Sequence, residues 1–239
     1  MRPALPTIAS RLADLPWPDL ERTLDEDGHA LTPPVLSARE CDELTGLYDD
    51  DRRFRSRVDM ARHRFGLGDY KYLRRPLPAL VQELRVHAYM HLAGIANRWM
   101  SALGRDLRFP PRLEQFLDTC AAHGQTEPTP LLLHYEAGGY NCLHQDLYGE
   151  VAFPLQLTAF LTPPGAHEGG EFLLVEQRPR AQSVGHAIRP GQGELLVFPT
   201  RERPAAGRRG PYRCQVRHGV SRVRAGRRFT LGVIFHDAR

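Results

Sequence analysis

From residue 130 to its end the chain is cut into short apolar runs by Gly and Pro: LLLHY, FPLQLTAFLT, GGEFLLVE, GELLVFP, CQVRHGV and RRFTLGVIF. Several short runs bounded by turn formers read as strands of a β-sandwich or barrel. The first half has a different texture. Ser37–Ala38–Arg39–Glu40 has the pattern of a capping box, which predicts a helix carrying Cys41, Leu44 and Tyr48 inward. Leu80, Leu84, Ala88, Leu92, Ile95, Trp99 and Leu103 recur three and four apart after Pro76 and Pro78, the stripe of one long helix. Leu113, Phe116, Leu117 and Cys120 mark a second helix after Pro110–Pro111. Residues 57–73 are punctuated by Gly and read as strand and loop, and the Pro-rich residues 1–35 read as an extended lead-in. Amphipathic helices need a sheet on which to bury their stripe. The expectation is therefore one α+β domain over residues 1–239. A mainly helical cover (1–125) packs on a cupin-like jelly roll, the double-stranded β-helix, over 126–239.

Composition narrows the class. Charged residues make up 25% and hydrophobic ones 41%, the balance of an ordinary globular chain. No apolar run approaches the roughly 20 residues of a membrane span, and the start of the chain lacks a signal-peptide apolar region. A cytoplasmic protein with no membrane association and no evident obligate protein partner is expected. Cys41, Cys120, Cys142 and Cys214 form no C-x-x-C pair and read as reduced thiols. The net charge of +4 comes almost wholly from arginine, Lys71 being the sole lysine. That excess permits polyanion binding without demonstrating it. Its densest stretch, Arg201–Arg213, reads as a solvated insertion between strands.

The chemistry-bearing residues lie in LLLHYEAGGYNCLHQDLYGE, residues 131–150. On a strand, residues two apart share a face, so His144 and Asp146 can aim at one point. His218, 72 residues beyond Asp146, is the candidate third ligand. That gap accommodates three strands (about 153–161, 170–176 and 193–199), enough for a barrel to return to the same mouth. Two imidazoles and one carboxylate on a single face form the triad of non-heme Fe(II) sites.

Beyond His218, Ala225–Gly226 reads as a hairpin tip placing Val223 opposite Arg228, roughly 15 Å along the ladder from the metal. Phe229, Leu231, Val233 and Phe235 then alternate with Arg228, Thr230 and Gly232. With the apolar face on the helices, Arg228 points into the barrel. A buried guanidinium requires an anion, and its fork matches a carboxylate. Tyr135, on the strand entering the site, is placed to donate to the same group.

These residues resemble the 2-oxoglutarate/Fe(II)-dependent dioxygenase superfamily through His144-x-Asp146, GGEF (169–172), PGQGELLVFP (190–199) and HGVSRVRAGRRFTL (218–231). Nearly the whole chain resembles a bacterial family of such oxygenases predicted to act on alkylated nucleic acid. The resemblance implies Fe(II) on His144, Asp146 and His218, with 2-oxoglutarate as cosubstrate on Arg228, Thr230 and Tyr135. O2 is the oxidant, and Asn141, Gln145 and Tyr148 are placed to meet substrate. The spacing of ten from His218 to Arg228, followed by Thr230, is similar to prolyl hydroxylases and supports the alternative of amino-acid or protein hydroxylation. The YEAGGYNCLHQD segment is similar to the alkylation-repair enzymes. It departs from their pattern at Leu133, where they carry Asn, and where they carry a second Arg well beyond the first, no arginine follows Arg228 here until Arg239. A zinc hydrolase on the same triad would have no use for Arg228. A binding module without metal would have no use for the triad.

Overall fold

A computed structural model describes residues 5–239. Six helices occupy the first half: α1 (Ile8–Ala13), α2 (Trp17–Asp27), α3 (Ala38–Gly46), α4 (Met60–His63), α5 (Ala79–Ala102) and α6 (Leu113–Ala122). Four strands lie among them: β1 (Ala30–Leu31), β2 (Phe54–Asp59), β3 (Gly66–Leu67) and β4 (Asp69–Leu73). The second half is almost wholly strand. It runs through β5 (Leu131–Tyr135), β6 (Tyr140–His144), β7 (Leu155–Phe160), β8 (His167–Gly169), β9 (Phe172–Gln177) and β10 (Val184–Ile188). It ends with β11 (Leu195–Pro199), β12 (Glu202–Ala205), β13 (Tyr212–Val220), β14 (Val223–Gly226) and β15 (Arg228–Ile234).

Two antiparallel sheets face each other. The larger has the order β1-β11-β7-β15-β5-β4-β2, and the smaller β10-β9-β13-β6-β3, with β12 also on β13. The chain passes from sheet to sheet, β5 to β6 to β7, then β9 and β10, β11, β13 and β15. That winding is a double-stranded β-helix, as expected from the run pattern.

The outer face of the larger sheet meets the helices. Leu155, Leu157, Leu195, Leu231 and Val233 pack there with Leu84, Ala88, Leu92 and Phe116 in one buried cluster. Between the sheets, Phe160, Phe172, Leu174, Leu196, Phe198 and Val216 form a separate apolar plug. β7 is therefore buried on both faces, and its inward side chains are Gln156, Thr158 and Phe160.

The capping box forms as read: Ser37 Oγ accepts from the Glu40 N–H, and the Glu40 carboxylate accepts from the Ser37 N–H at 2.8 Å. Three expectations are corrected. Residues 8–27 are not extended but two helices; Pro18 falls in the first turn of α2, where its missing N–H costs nothing. Ala225–Gly226 is not the tip of a hairpin with β15. β14 pairs with β8, and β15 pairs with β5 and β7. The 201–213 segment is not wholly solvated. β12 pairs with β13, and Arg203 is buried against Glu176 at 2.6 Å, also donating to the Asp25 carbonyl at the end of α2.

One buried cation ties the helices to the sheet. Arg85 of α5, 1% exposed, donates to the carbonyls of Ile234 (3.0 Å) and Phe235 (2.9 Å) and to Asp237 Oδ1 (2.8 Å). Arg85→Met leaves the buried Asp237 carboxylate with the half-exposed Arg75 as its remaining cation and is expected to lower stability by up to roughly 3–5 kcal/mol. Adding Asp237→Asn recovers part of that loss. Urea unfolding of the single and double variants measures both.

Candidate metal centre

β6 ends on His144, and the chain then turns through Gln145 to Asp146. β13 runs antiparallel to β6 with His218 directly opposite His144. A register shift follows at once, between His218 and Val220. Gly219 lies in it, where a Cβ would stand 2.6 Å from the Asn141 carbonyl. The two strands of the smaller sheet thus bring three ligand atoms within 4.8 Å of one another, the one such group of His, Cys or acidic residues among the described residues.

The donor chemistry fits a divalent metal. His144 Nδ1 lies 2.8 Å from the Cys142 carbonyl, so that nitrogen carries the proton and Nε2 keeps its lone pair. His218 Nε2 lies 3.1 Å from Asp146 Oδ2, and its ring packs parallel to Phe172 and against Phe198. Burial above all pushes the His218 pKa down, favouring the neutral imidazole a metal binds. Burial alone would raise the Asp146 carboxyl. Its neighbours His218 and His144 and the hydrogen bond from the Tyr148 hydroxyl outweigh it and hold the group well below the usual carboxylate range.

The triad opens into a cavity of about 370 Å³ between the sheets. Its inner wall is the inward face of β15: Arg228, Thr230, Gly232 and Ile234. β13 and β15 lie in opposite sheets, so Arg228 and His218 look at each other across the cavity, not along one ladder. Arg228 is 2% exposed, and neither Nη1 nor Nη2 has a hydrogen-bond partner. Burial brings its pKa down to about 10, so it remains charged at neutral pH. An unpaired buried cation at the end of a cavity is a receptor for an anion. Gly170, from the GGEF stretch, holds φ +69°, and a Cβ there would lie 2.9 Å from the Arg228 side chain.

The other sequence-chosen residues fall as follows. Tyr135 is fully buried, lines the cavity, and its hydroxyl accepts from Asn141 Nδ2 at 3.3 Å. Thr230 lines the wall beside Arg228. Tyr148 donates to Asp146 Oδ1 at 2.8 Å, so it supports a candidate metal ligand. Gln145 is pinned through its amide to the carbonyls of Arg201 (3.0 Å) and Val216 (2.8 Å). Sequence reasoning missed Tyr70, Gln156 and Thr158, all on the cavity wall. The alternation in LQLTAF and DYKYL carried the signal, since polar or phenolic side chains recur two apart within an apolar strand. Gln156 Nε2 is buried and unpartnered, a second polar group turned to the cavity without a mate.

Residues 68–238 match the model of a family described as "Oxygenase, catalysing oxidative methylation of damaged DNA". A Mycobacterium tuberculosis protein, Rv2227, is 48% identical over 164 residues, covering 68% of this chain and 70% of its own length. Among solved structures, a Pseudomonas putida prolyl-4-hydroxylase superposes with a TM-score of 0.56 at 15% identity, covering 98% of this chain and all of that one. A Burkholderia pseudomallei oxidoreductase of the 2OG-Fe(II) oxygenase family gives 0.52 at 15% identity, covering 100% of this chain and 95% of the other. At such identity these two likenesses are of fold. No helix among the described residues is long and apolar enough to cross a membrane.

Asp146→Ala is expected to abolish stoichiometric Fe(II) binding. Tyr148→Phe retains one site but weakens it about 10–100-fold, as loss of a ligand's hydrogen-bond partner does. Anaerobic titration of the purified chain with Fe(II) reads both.

Proposed function

Because the chain belongs to this oxygenase family, we propose that it is an Fe(II)- and 2-oxoglutarate-dependent dioxygenase that hydroxylates a C–H bond of alkylated nucleic acid. One observation carries the reading: an unpaired buried guanidinium and a ligand set of two histidines and one aspartate face one another across a single cavity. A dicarboxylate that is also a 2-keto acid satisfies both ends at once.

His144, Asp146 and His218 would hold the iron, which when bound supplies O2 activation coupled to decarboxylation of 2-oxoglutarate to succinate and CO2. The remaining work belongs to the chain. Arg228 takes the distal carboxylate through two parallel N–H···O bonds, with the Thr230 hydroxyl beside it on the same strand face. Tyr135 closes that end; burial pushes its hydroxyl up to about 12, which keeps it a neutral donor. Phe160 and Phe172 plug the barrel behind the site and exclude water. Tyr148 orients the Asp146 carboxylate. Gln156 offers its free amide to whatever lies between metal and wall.

The family model supports damaged nucleic acid as substrate. Hydroxylation of an N-alkyl carbon gives a hemiaminal, which releases the alkyl group as an aldehyde. The spacing of ten between His218 and Arg228 supports a second reading, hydroxylation of an amino acid or a prolyl-type protein side chain. Succinate release screened against methylated oligonucleotides, peptides and free amino acids separates the two.

Arg228→Met is expected to raise the KM for 2-oxoglutarate by a hundredfold or more, on the order of the 3–5 kcal/mol carried by a buried charge-assisted pair. Gly170→Ala, which pushes Arg228 aside and strains a left-handed backbone, raises it in the same direction by a smaller factor. Wild-type affinity in Arg228→Met would sink the assignment.

A further inference from the structure

Eight large hydrophobic side chains are exposed among the described residues, and two of them line the metal cavity. Phe65 and Leu143 line the opening, and Leu147 directly follows Asp146. Phe65 is 46% exposed, yet its backbone is fixed from both sides. Its N–H donates to the Met60 carbonyl at 2.9 Å, and its carbonyl accepts from Cys142 at 2.7 Å. Met60 is wholly buried. The Phe65 ring stacks on His63, with centroids 5.3 Å apart and planes 21° from parallel. Between these rings Arg64 is held at φ +59°, in the left-handed region, and its side chain lines the cavity. No hydrogen-bond or ion-pair partner for its guanidinium exists among the described residues.

A second cation is tied to the metal motif through its backbone. The Gln145 amide bonds to the Arg201 carbonyl, tying the start of the basic 201–213 segment to the metal motif. The Arg201 side chain is exposed and equally without a partner among the described residues. Asp146 is the one acidic residue on the cavity wall, and a bound metal would neutralise it. The cavity wall thus offers an anchored ring at Phe65, the apolar Leu143 and the unpaired Arg64, with the unpaired Arg201 next to Gln145 in the metal motif.

We infer that the α4–β3 corner, residues 60–67, recognises single-stranded nucleic acid, with Phe65 stacking on a base and Arg64 and Arg201 holding flanking phosphates. This rests on the nucleic-acid reading of the site and names the surface that carries it. Rigid aromatic stacking beside cations is the chemistry by which unpaired bases are held, and a base must leave its duplex to meet such a ring. A neutral peptide would leave both guanidinium groups unanswered.

Fluorescence anisotropy of the full chain tests this without iron or 2-oxoglutarate present, so binding is read apart from catalysis. The probe is a labelled single-stranded oligodeoxynucleotide of about a dozen nucleotides, a length within the site sizes of such proteins, with one N-methylated adenine. Phe65→Ala is expected to weaken binding about tenfold, and Phe65→Trp to restore it. Arg64→Gln and Arg201→Gln each lower the slope of log affinity against log salt by a little under one. Met90→Ala, exposed on α5, binds as wild type does. Wild-type affinity in Phe65→Ala, a Trp variant as weak as Ala, or displacement of the oligonucleotide by an equal concentration of a neutral proline-containing peptide would each overturn the inference. A chain that binds through Phe65 yet releases no succinate with Fe(II) and 2-oxoglutarate would keep the lip and sink the oxygenase reading instead.

Discussion

The register of β15 is the constraint on which the rest depends. Side chains alternate along a strand, so one strand must satisfy two unlike surroundings at once. Leu231 and Val233 lie in the helix-covered core while Arg228, Thr230, Gly232 and Ile234 wall the cavity. A slip of one residue would drive Arg228 into the core and turn Leu231 into the cavity. The structure fixes the strand at its far end, where Arg85 grips the Ile234 and Phe235 carbonyls, and along both edges through β5 and β7. Helical cover and anion receptor are therefore one device: α5 holds the strand that aims Arg228.

Much of this was legible in the residues. The capping box at Ser37, the stripe from Leu84 to Trp99, and the alternation after Arg228 are local patterns that one face of one element must obey. The His144–Asp146 pair was legible for the same reason. What escaped reading depends on contacts distant in sequence. Whether Gly226 turns a hairpin or leads into the opposite sheet is decided by β8, some sixty residues away. The Pro-rich start hid α1 and α2, because proline forbids the interior of a helix but suits its first turn. Phe65 falls in the 57–73 stretch that reads only as strand and loop. Only the pairing of β3 on β6 brings it to the mouth, through Gly66, where any Cβ would meet the Tyr140 carbonyl at 2.2 Å.

The site is prepared by charges held apart. On one sheet a carboxylate sits between two imidazoles with a phenol supporting it; on the other a guanidinium stands alone. Both halves are built before any ligand arrives. Little reorganisation is then required when one binds, which is how a preformed polar site gains selectivity. The apolar plug behind them lowers the local dielectric and strengthens each interaction.

The solitary state of Arg228 has a thermodynamic side. A desolvated charge without a counter-ion costs roughly several kcal/mol, and the fold carries that cost for as long as the cavity lacks an anion. A ligand that answers the charge therefore stabilises the native chain by mass action, in proportion to the logarithm of its concentration over its dissociation constant. The contact that would select a dicarboxylate would thus also make the folded chain harder to unfold.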